Sequence, residues 1–226
     1  MQKSSLLIRW PKAVWVSSLL VILVMLLASI QPLEWSSYLL HQAGTLLFMA
    51  AMLFAYRYLK ISAHAYVLSM VFLLIHIIGA RYLYSYVPYD DWTQSLFGFK
   101  LNDIFGWQRN MYDRLVHFSY GLLLFATMYE ALKAVLRLPS PRQLIAITLM
   151  LNMASSMLYE LFEWGIAMTL SAEDAESYNG QQGDTWDAHK DMALALLGGI
   201  ISALVYTVTP LRAVLRKPRS RRVGFL

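Results

Sequence analysis

Six stretches of mostly apolar residues, joined by shorter polar or aromatic connections, make up most of the chain. A helix that crosses a bilayer needs roughly 20 predominantly apolar residues, and each stretch is close to that length. The pattern therefore predicts an all-α polytopic membrane helix bundle with about six transmembrane helices, in a single integral membrane domain over residues 1–226. The predicted spans are about 13–30, 37–56, 62–80, 114–132, 143–169 and 192–210, and a basic cytoplasmic tail follows at 211–226.

The composition supports a membrane protein. Hydrophobic residues make up 58% of the 226 residues and charged residues only 15%, a balance too apolar for a soluble domain. The sequence has no cysteine, which excludes disulfides, thiolate metal sites and cysteine nucleophiles. The candidate chemistry must therefore come from histidine, carboxylate and hydroxyl groups.

The charges are unevenly distributed between the two ends of the predicted bundle. Of the 19 basic residues, 14 lie at the termini or in the turns after the second and fourth spans, so the positive-inside rule makes both termini cytoplasmic. We interpret the basic tail as a topology determinant that contacts anionic lipid, and we expect the lipid bilayer and not nucleic acid as its partner. The opposite end holds 13 of the 14 acids.

Ionisable residues in or beside the apolar stretches are the strongest functional signal. A charge at the bilayer centre costs at least about 2.5–3.5 kcal/mol on insertion scales, so such residues usually mark a working site. Helical periodicity groups them on facing stripes near one end of the bundle, around one outward-opening cavity formed by the last four helices. The residues are His76, Asp113, His117, Glu160, Glu163, Asp187 and Asp191.

Imidazole and carboxylate groups suit Zn²⁺, Mn²⁺ or Fe²⁺, so a divalent metal ion is the candidate cofactor. The expected catalytic acid or base groups are His117, Glu160 and Glu163, and neighbouring carboxylates could share a proton without a metal. No HExxH or ExxH pattern is present, so separate helices would have to assemble the site. The expected metal ligands are His76, His117, Asp113, Asp184, Asp187 and Asp191, and the expected substrate-binding residues are Arg114, Lys190 and Tyr82.

The leading hypothesis is a protein that acts on a lipid or cell-envelope amphiphile. The segment 81–113 is rich in aromatic residues, which favours an interfacial lid over the bundle, with a short helix near SLFGFKLNDIFGW. A small proton- or cation-coupled transporter is one alternative. A structural subunit is the other, in which basic residues only neutralise the acids. The basic residues in question are Arg81, Arg109, Arg114 and Lys190, and His41, His64 and His189 are expected to be interfacial or surface residues.

Four motifs resemble a known family. In order and spacing, HIIGARYLYSYVPYDDW, GWQRNMYDRLVHFSYGLLL, YELFEWG and YNGQQGDTWDAHKDMALALLGG resemble the YjdF-like bacterial inner-membrane proteins, a family with a domain of unknown function. The elements DRLVHF, ELFE and GDTWDAHKDMALALLG also resemble the VanZ-like proteins of the cell envelope, over the last three helices. The resemblance implies a multi-pass protein of the bacterial inner (plasma) membrane and brings no established reaction.

Overall fold

The computed structural model describes residues 10–136, 140–171, 175 and 180–208, and these residues contain helices and turns but no strand. The all-α prediction is therefore confirmed. In chain order the helices are α1 (Lys12–Ala28), α2 (Trp35–Phe54), α3 (Ala63–Arg81), α4 (Tyr89–Phe97), α5 (Leu101–Phe105), α6 (Tyr112–Val135), α7 (Pro141–Ala167) and α8 (Asp187–Val208).

Five helical segments are long and apolar enough to cross a bilayer, and α1 is an apolar helix of 17 residues that packs against α3. The polytopic bundle is thus confirmed with five candidate spans and one shorter helix. The cytoplasmic location of the termini stays a prediction. The five segments are Trp35–Leu59, in which α2 continues through a π-helical turn at Ala55–Leu59, then Ala63–Arg81, Tyr112–Val135, Pro141–Ala167 and Asp187–Thr207.

Capping residues set where the spanning helices begin. The Glu34 carboxylate accepts hydrogen bonds from the backbone N–H groups of Ser36 and Ser37 at the start of α2. The hydroxyl of Ser62 caps α3, and that of Ser140 caps α7 one residue before a proline. These oxygens satisfy backbone donors that would otherwise lack partners, because the first turn of a helix offers no carbonyl to them.

Helix α6 is the centre of the bundle and packs against α3, α7 and α8. Its closest approach is to α8, where both helices place glycine at the crossing. A Cβ atom at Gly121 would lie 1.8 Å from the Ala195 carbonyl oxygen, and one at Gly198 would lie 2.2 Å from that of Phe118. Small residues let membrane helices approach this closely, and the contact fixes the position of the acidic first turn of α8 relative to α6.

The segment between α3 and α6 lies at the end of the bundle that holds Asp113, Asp187 and Asp191, which we call the acidic end. The predicted short helix is present as two helices, α4 and α5. The Tyr89 hydroxyl donates to the Asn102 side chain at 2.6 Å, and the Asp90 carboxylate accepts from the Asn102 N–H at 3.1 Å. Phe97 and Phe105 remain exposed, as expected for side chains at a membrane interface.

We expect Gly198→Ala to lower the free energy of unfolding by about 1–3 kcal/mol, because the new methyl group meets backbone atoms that cannot rotate away. Gly165→Ala is the matched control, since a Cβ at Gly165 meets nothing within 4 Å. The measurement is the apparent melting temperature in detergent. Equal melting temperatures for the two variants would contradict the close α6–α8 crossing.

Candidate functional site

An ionic network at the acidic end joins α8 to the residues before and within α6. Arg109 Nη1 lies 2.8 Å from Asp187 Oδ1, and Arg114 Nη2 lies 2.5 Å from the same oxygen and 3.1 Å from Asp184 Oδ2. Arg114 Nη1 pairs with Asp191 Oδ2. Because the Arg114 and Asp191 side chains are almost fully buried, these pairs are compensated charges inside the protein and not surface contacts.

The loop before α8 is held by the same network. Arg109 donates to the carbonyl oxygens of Gly180 and Gln181, each at 2.9 Å. Asp184 accepts from Lys190 Nζ at 2.6 Å and from the Trp186 N–H at 3.1 Å. The hydrogen bond from Lys190, with that from Trp186, lowers the pKa of Asp184 below its ordinary value. Asp184 therefore acts as an ionised loop anchor.

A second group of ionisable residues surrounds His117 and shares Asp191 with the arginine network. Asp113 and His117 lie one turn apart on α6, with His117 Nε2 3.6 Å from Asp113 Oδ1, and His117 Nδ1 is 3.5 Å from Glu160 Oε1 on α7. Ligand atoms of Asp113, His117 and Asp191 all lie within 4.8 Å of one another. We call Asp113, His117, Glu160 and Asp191 the carboxylate–histidine cluster.

Two oxygens of this cluster lack a hydrogen-bond partner within the described chain. They are Glu160 Oε1 and Asp191 Oδ1, both shielded from solvent. Glu163, three residues beyond Glu160, is close enough to interact electrostatically with Asp113 and Glu160. Buried polar groups normally have partners, so the cluster has acceptor capacity for a cation or for protons.

A cavity of about 580 Å³ begins at this cluster and runs between the helices. Asp113 and His117 belong both to the cluster and to the cavity wall. The other lining residues come from α2, α3, α6 and α7 and from the turn after α3. They are Leu40, His41, Ala43, Gly44, Thr45, Leu47, Phe48, Phe72, Leu73, His76, Tyr84, Val116, Tyr120, Ser155, Ser156, Tyr159 and Phe162.

Helix α2 therefore takes the place that the sequence pattern gave to α8. The sequence predicted a cavity formed by the last four helices. None of the residues that line the observed cavity belongs to α8. The reason is the close packing of α8 against α6 and its contact with α7, which leaves only the acidic first turns of α8 near the site. Asp191 is the α8 residue that reaches the cluster.

Several residues expected at a metal site lie elsewhere. His76 lines the cavity, and its Nδ1 forms a 2.8 Å hydrogen bond with the Tyr84 hydroxyl. It does not belong to the group of converging ligand atoms around Asp113. Asp184 and Asp187 are already paired with basic side chains. Unlike Asp191, whose Oδ1 has no hydrogen-bond partner in the described chain, neither of the last two belongs to the group of converging ligand atoms.

The expected substrate-binding residues are also engaged or remote. Arg114 is buried and paired with three carboxylates, so it is not available to an anionic headgroup. The Lys190 side chain is 55% exposed but paired with Asp184. Tyr82 packs edge-on against Trp92 with ring centroids 6.1 Å apart, and it is not among the residues that line the cavity.

The sequence reasoning missed His41. It was expected to be an interfacial or surface residue, but it is 6% exposed and lines the cavity, with its ring 5.9 Å from that of His76 and 5.2 Å from that of Tyr84. Its Nδ1 lies 2.7 Å from the Ser37 carbonyl oxygen, which makes Nδ1–H the donor. The available signal was periodicity, because His41 and Thr45 share one face of an apolar span.

The fold and the buried cluster define a multi-pass membrane protein with a histidine and carboxylate site. The family described as "Predicted membrane protein (DUF2238)" matches residues 13–212, and the chain belongs to this family. It is also 27% identical over 188 residues to the inner membrane protein YjdF of Escherichia coli (strain K12), which covers 83% of this chain and 86% of that protein. No solved structure matches the chain.

These comparisons confirm the YjdF-like resemblance and the location in a bacterial inner membrane with several spans. The VanZ-like resemblance stays a prediction, and so does the contact of the basic tail with anionic lipid, because the tail at 211–226 lies outside the described residues.

We expect Arg114→Leu to destabilise the protein by about 3–5 kcal/mol, because it leaves buried carboxylates without their counter-charge. Lys190→Leu is the control, since this side chain is largely exposed, and exposed pairs contribute little to stability. Thermal unfolding of both variants in detergent measures the difference. Equal losses would show that the buried network does not hold α8 in place.

Proposed function

We propose that the carboxylate–histidine cluster binds a divalent cation and acts on the polar group of a membrane amphiphile held in the adjoining cavity. One observation carries the proposal. The three residues whose ligand atoms converge, Asp113, His117 and Asp191, include two that also form the wall of a largely apolar cavity within the spanning helices. A ligand with an apolar part and a polar part fits that arrangement.

The charge balance supports a cation. Among the described residues near the site, six carboxylates face three cationic side chains. The cations lie on the side of Asp184 and Asp187, so the negative charge that remains is concentrated around Asp113, Glu160 and Glu163. A low-dielectric site favours neutralisation of such charge by a metal ion or by protons.

The donor set suits a borderline transition metal. One imidazole and two carboxylates are the ligand types used by Zn²⁺, Mn²⁺ and Fe²⁺. A metal ion held there would polarise a phosphoryl or carbonyl oxygen, or activate a water. Glu160 Oε1 lies 3.5 Å from His117 Nδ1, where it can accept a proton during the reaction.

The expected result is near-stoichiometric Mn²⁺, Zn²⁺ or Fe²⁺ in protein purified in detergent without chelators, and loss of that metal in His117→Ala. His189→Ala is the matched control, because His189 is exposed and packs against Trp186. Elemental analysis gives the stoichiometry, and a melting temperature checks that each variant folds. A parent protein that stays free of metal after reloading would contradict the metal site.

Proton-coupled transport is the second candidate, and a separate observation favours it. The side-chain amide of Asn152 and the hydroxyl of Ser156 are buried without a hydrogen-bond partner in the described chain, as is Glu160 Oε1. These residues follow one another at intervals of four on α7, so they form a line that leads from the cluster into the bundle. Unpartnered polar groups inside a membrane segment are costly, and they often mark proton or substrate paths.

If this line conducts protons, Ser156→Ala and Asn152→Leu should slow proton movement in proteoliposomes severalfold. Ser155→Ala is the matched control, because the Ser155 hydroxyl is already bonded to the Leu151 carbonyl and to Tyr120. The measurement is the rate of change of an internal pH dye after an imposed pH gradient, with the membrane potential clamped. A parent rate equal to that of empty liposomes would exclude the transport candidate.

A further inference from the structure

Gly44 lies in the middle of α2 without a packing reason to be glycine. Glycine weakens a helix interior, and it is usually kept in membrane helices where another backbone comes close. That is the case for Gly121 and Gly198, but a Cβ at Gly44 would meet nothing within 4 Å. Gly44 is instead exposed and part of the cavity wall.

The cavity reaches the surface of the bundle beside Gly44. Three of its lining side chains are strongly exposed, Leu40 by 42% and Leu47 by 74% on α2, and Phe162 by 57% on α7. Residues that both line a cavity and are exposed mark its mouth. The mouth therefore lies between α2 and α7.

The packing of the helices explains why this side is open. Helix α2 packs against α3, whereas α7 packs against α6 and α8, and α2 and α7 form no extensive contact with each other. Both α2 and α7 belong to segments long and apolar enough to span a bilayer. The gap between them consequently faces the lipid and not the aqueous phase.

We propose that the gap between α2 and α7 is a lateral port that admits one hydrocarbon chain of a membrane amphiphile from the bilayer, with Gly44 leaving the room for that chain. The chain would lie against Leu47, Phe48 and Phe72, and the polar end would meet Asp113 and His117, which line the same cavity. The volume of about 580 Å³ lies within the about 300–1,000 Å³ typical of small-molecule sites.

The occupant follows from the surroundings and from the distribution of polarity. A mouth that opens within the spanning segments is bathed in lipid chains, so hydrocarbon is the ligand that reaches it without leaving the membrane. The exposed side chains at the mouth, Leu40, Leu47 and Phe162, are apolar. Three of the polar lining groups, His41, His76 and Tyr84, contact one another on the side of the turn after α3. This inference rests on the proposed function only for what happens to the polar end.

The test is photolabelling in vesicles of phosphatidylglycerol that has a diazirine on one acyl chain, followed by mass spectrometry of the labelled peptides. The parent should be labelled on cavity-lining residues of α2, α3 or α6, including the buried Leu73. Gly44→Phe should reduce that labelling severalfold, because its ring fills the port. Gly165→Phe is the matched control, since this exposed glycine of α7 also has open space around it but does not line the cavity.

Unchanged labelling of the cavity in Gly44→Phe, or labelling of the parent only on lipid-facing side chains, would overturn the port. Gly44→Leu gives a second, smaller obstruction if the phenylalanine variant does not fold. Metal content is measured on the same samples. Loss of cavity labelling in Gly44→Phe supports the port even if the parent contains no metal, so failure of the port and failure of the metal site are distinguishable.

Discussion

The structure of the acidic end depends on how the negative charge of its buried carboxylates is neutralised. A buried carboxylate is tolerated when a cation or a proton neutralises it. Arg109 and Arg114 supply that neutralisation for Asp184 and Asp187 and for one oxygen of Asp191. Neither arginine pairs with Glu160 or with the second oxygen of Asp191. The carboxylates paired with arginine therefore form a structural network, and the others form the candidate working site. The acids paired with arginine fit the structural interpretation, which stays a prediction.

The two halves are mechanically linked. The loop before α8 is bound to Arg109, and α8 is fixed against α6 by the glycine crossing, so Asp191 is presented to Asp113 and His117 by rigid elements. A site built on helices and supported by a second layer of ion pairs has the preorganisation that metal binding and catalysis need. The opposite wall, formed by α2, is not tied to α7 in this way, and it leaves access for a ligand from the bilayer.

Hydrophobic pattern was sufficient to predict the all-α bundle, because a chain in lipid has to satisfy its backbone groups within helices. The stripe that joins Asp113 to His117, and the inward face of Glu160, also followed from periodicity alone. The pairing of each arginine did not, since it depends on how the loop at 180–187 folds back onto Arg109. The role of His41 was missed because it depends on the packing of α2 against α3, which brings His41 beside His76 and Tyr84. In the sequence Lys190 and Arg114 are both cationic residues near the acids. Only the structure shows that Lys190 is exposed and Arg114 is buried.

The most direct test of this division is anomalous diffraction from crystals of the protein soaked in Mn²⁺. The account predicts an anomalous peak bounded by Asp113, His117 and Asp191, with Arg109 and Arg114 still bound to Asp187. A peak among Asp184 and Asp187 with the arginines displaced, or no peak at the acidic end, would contradict it.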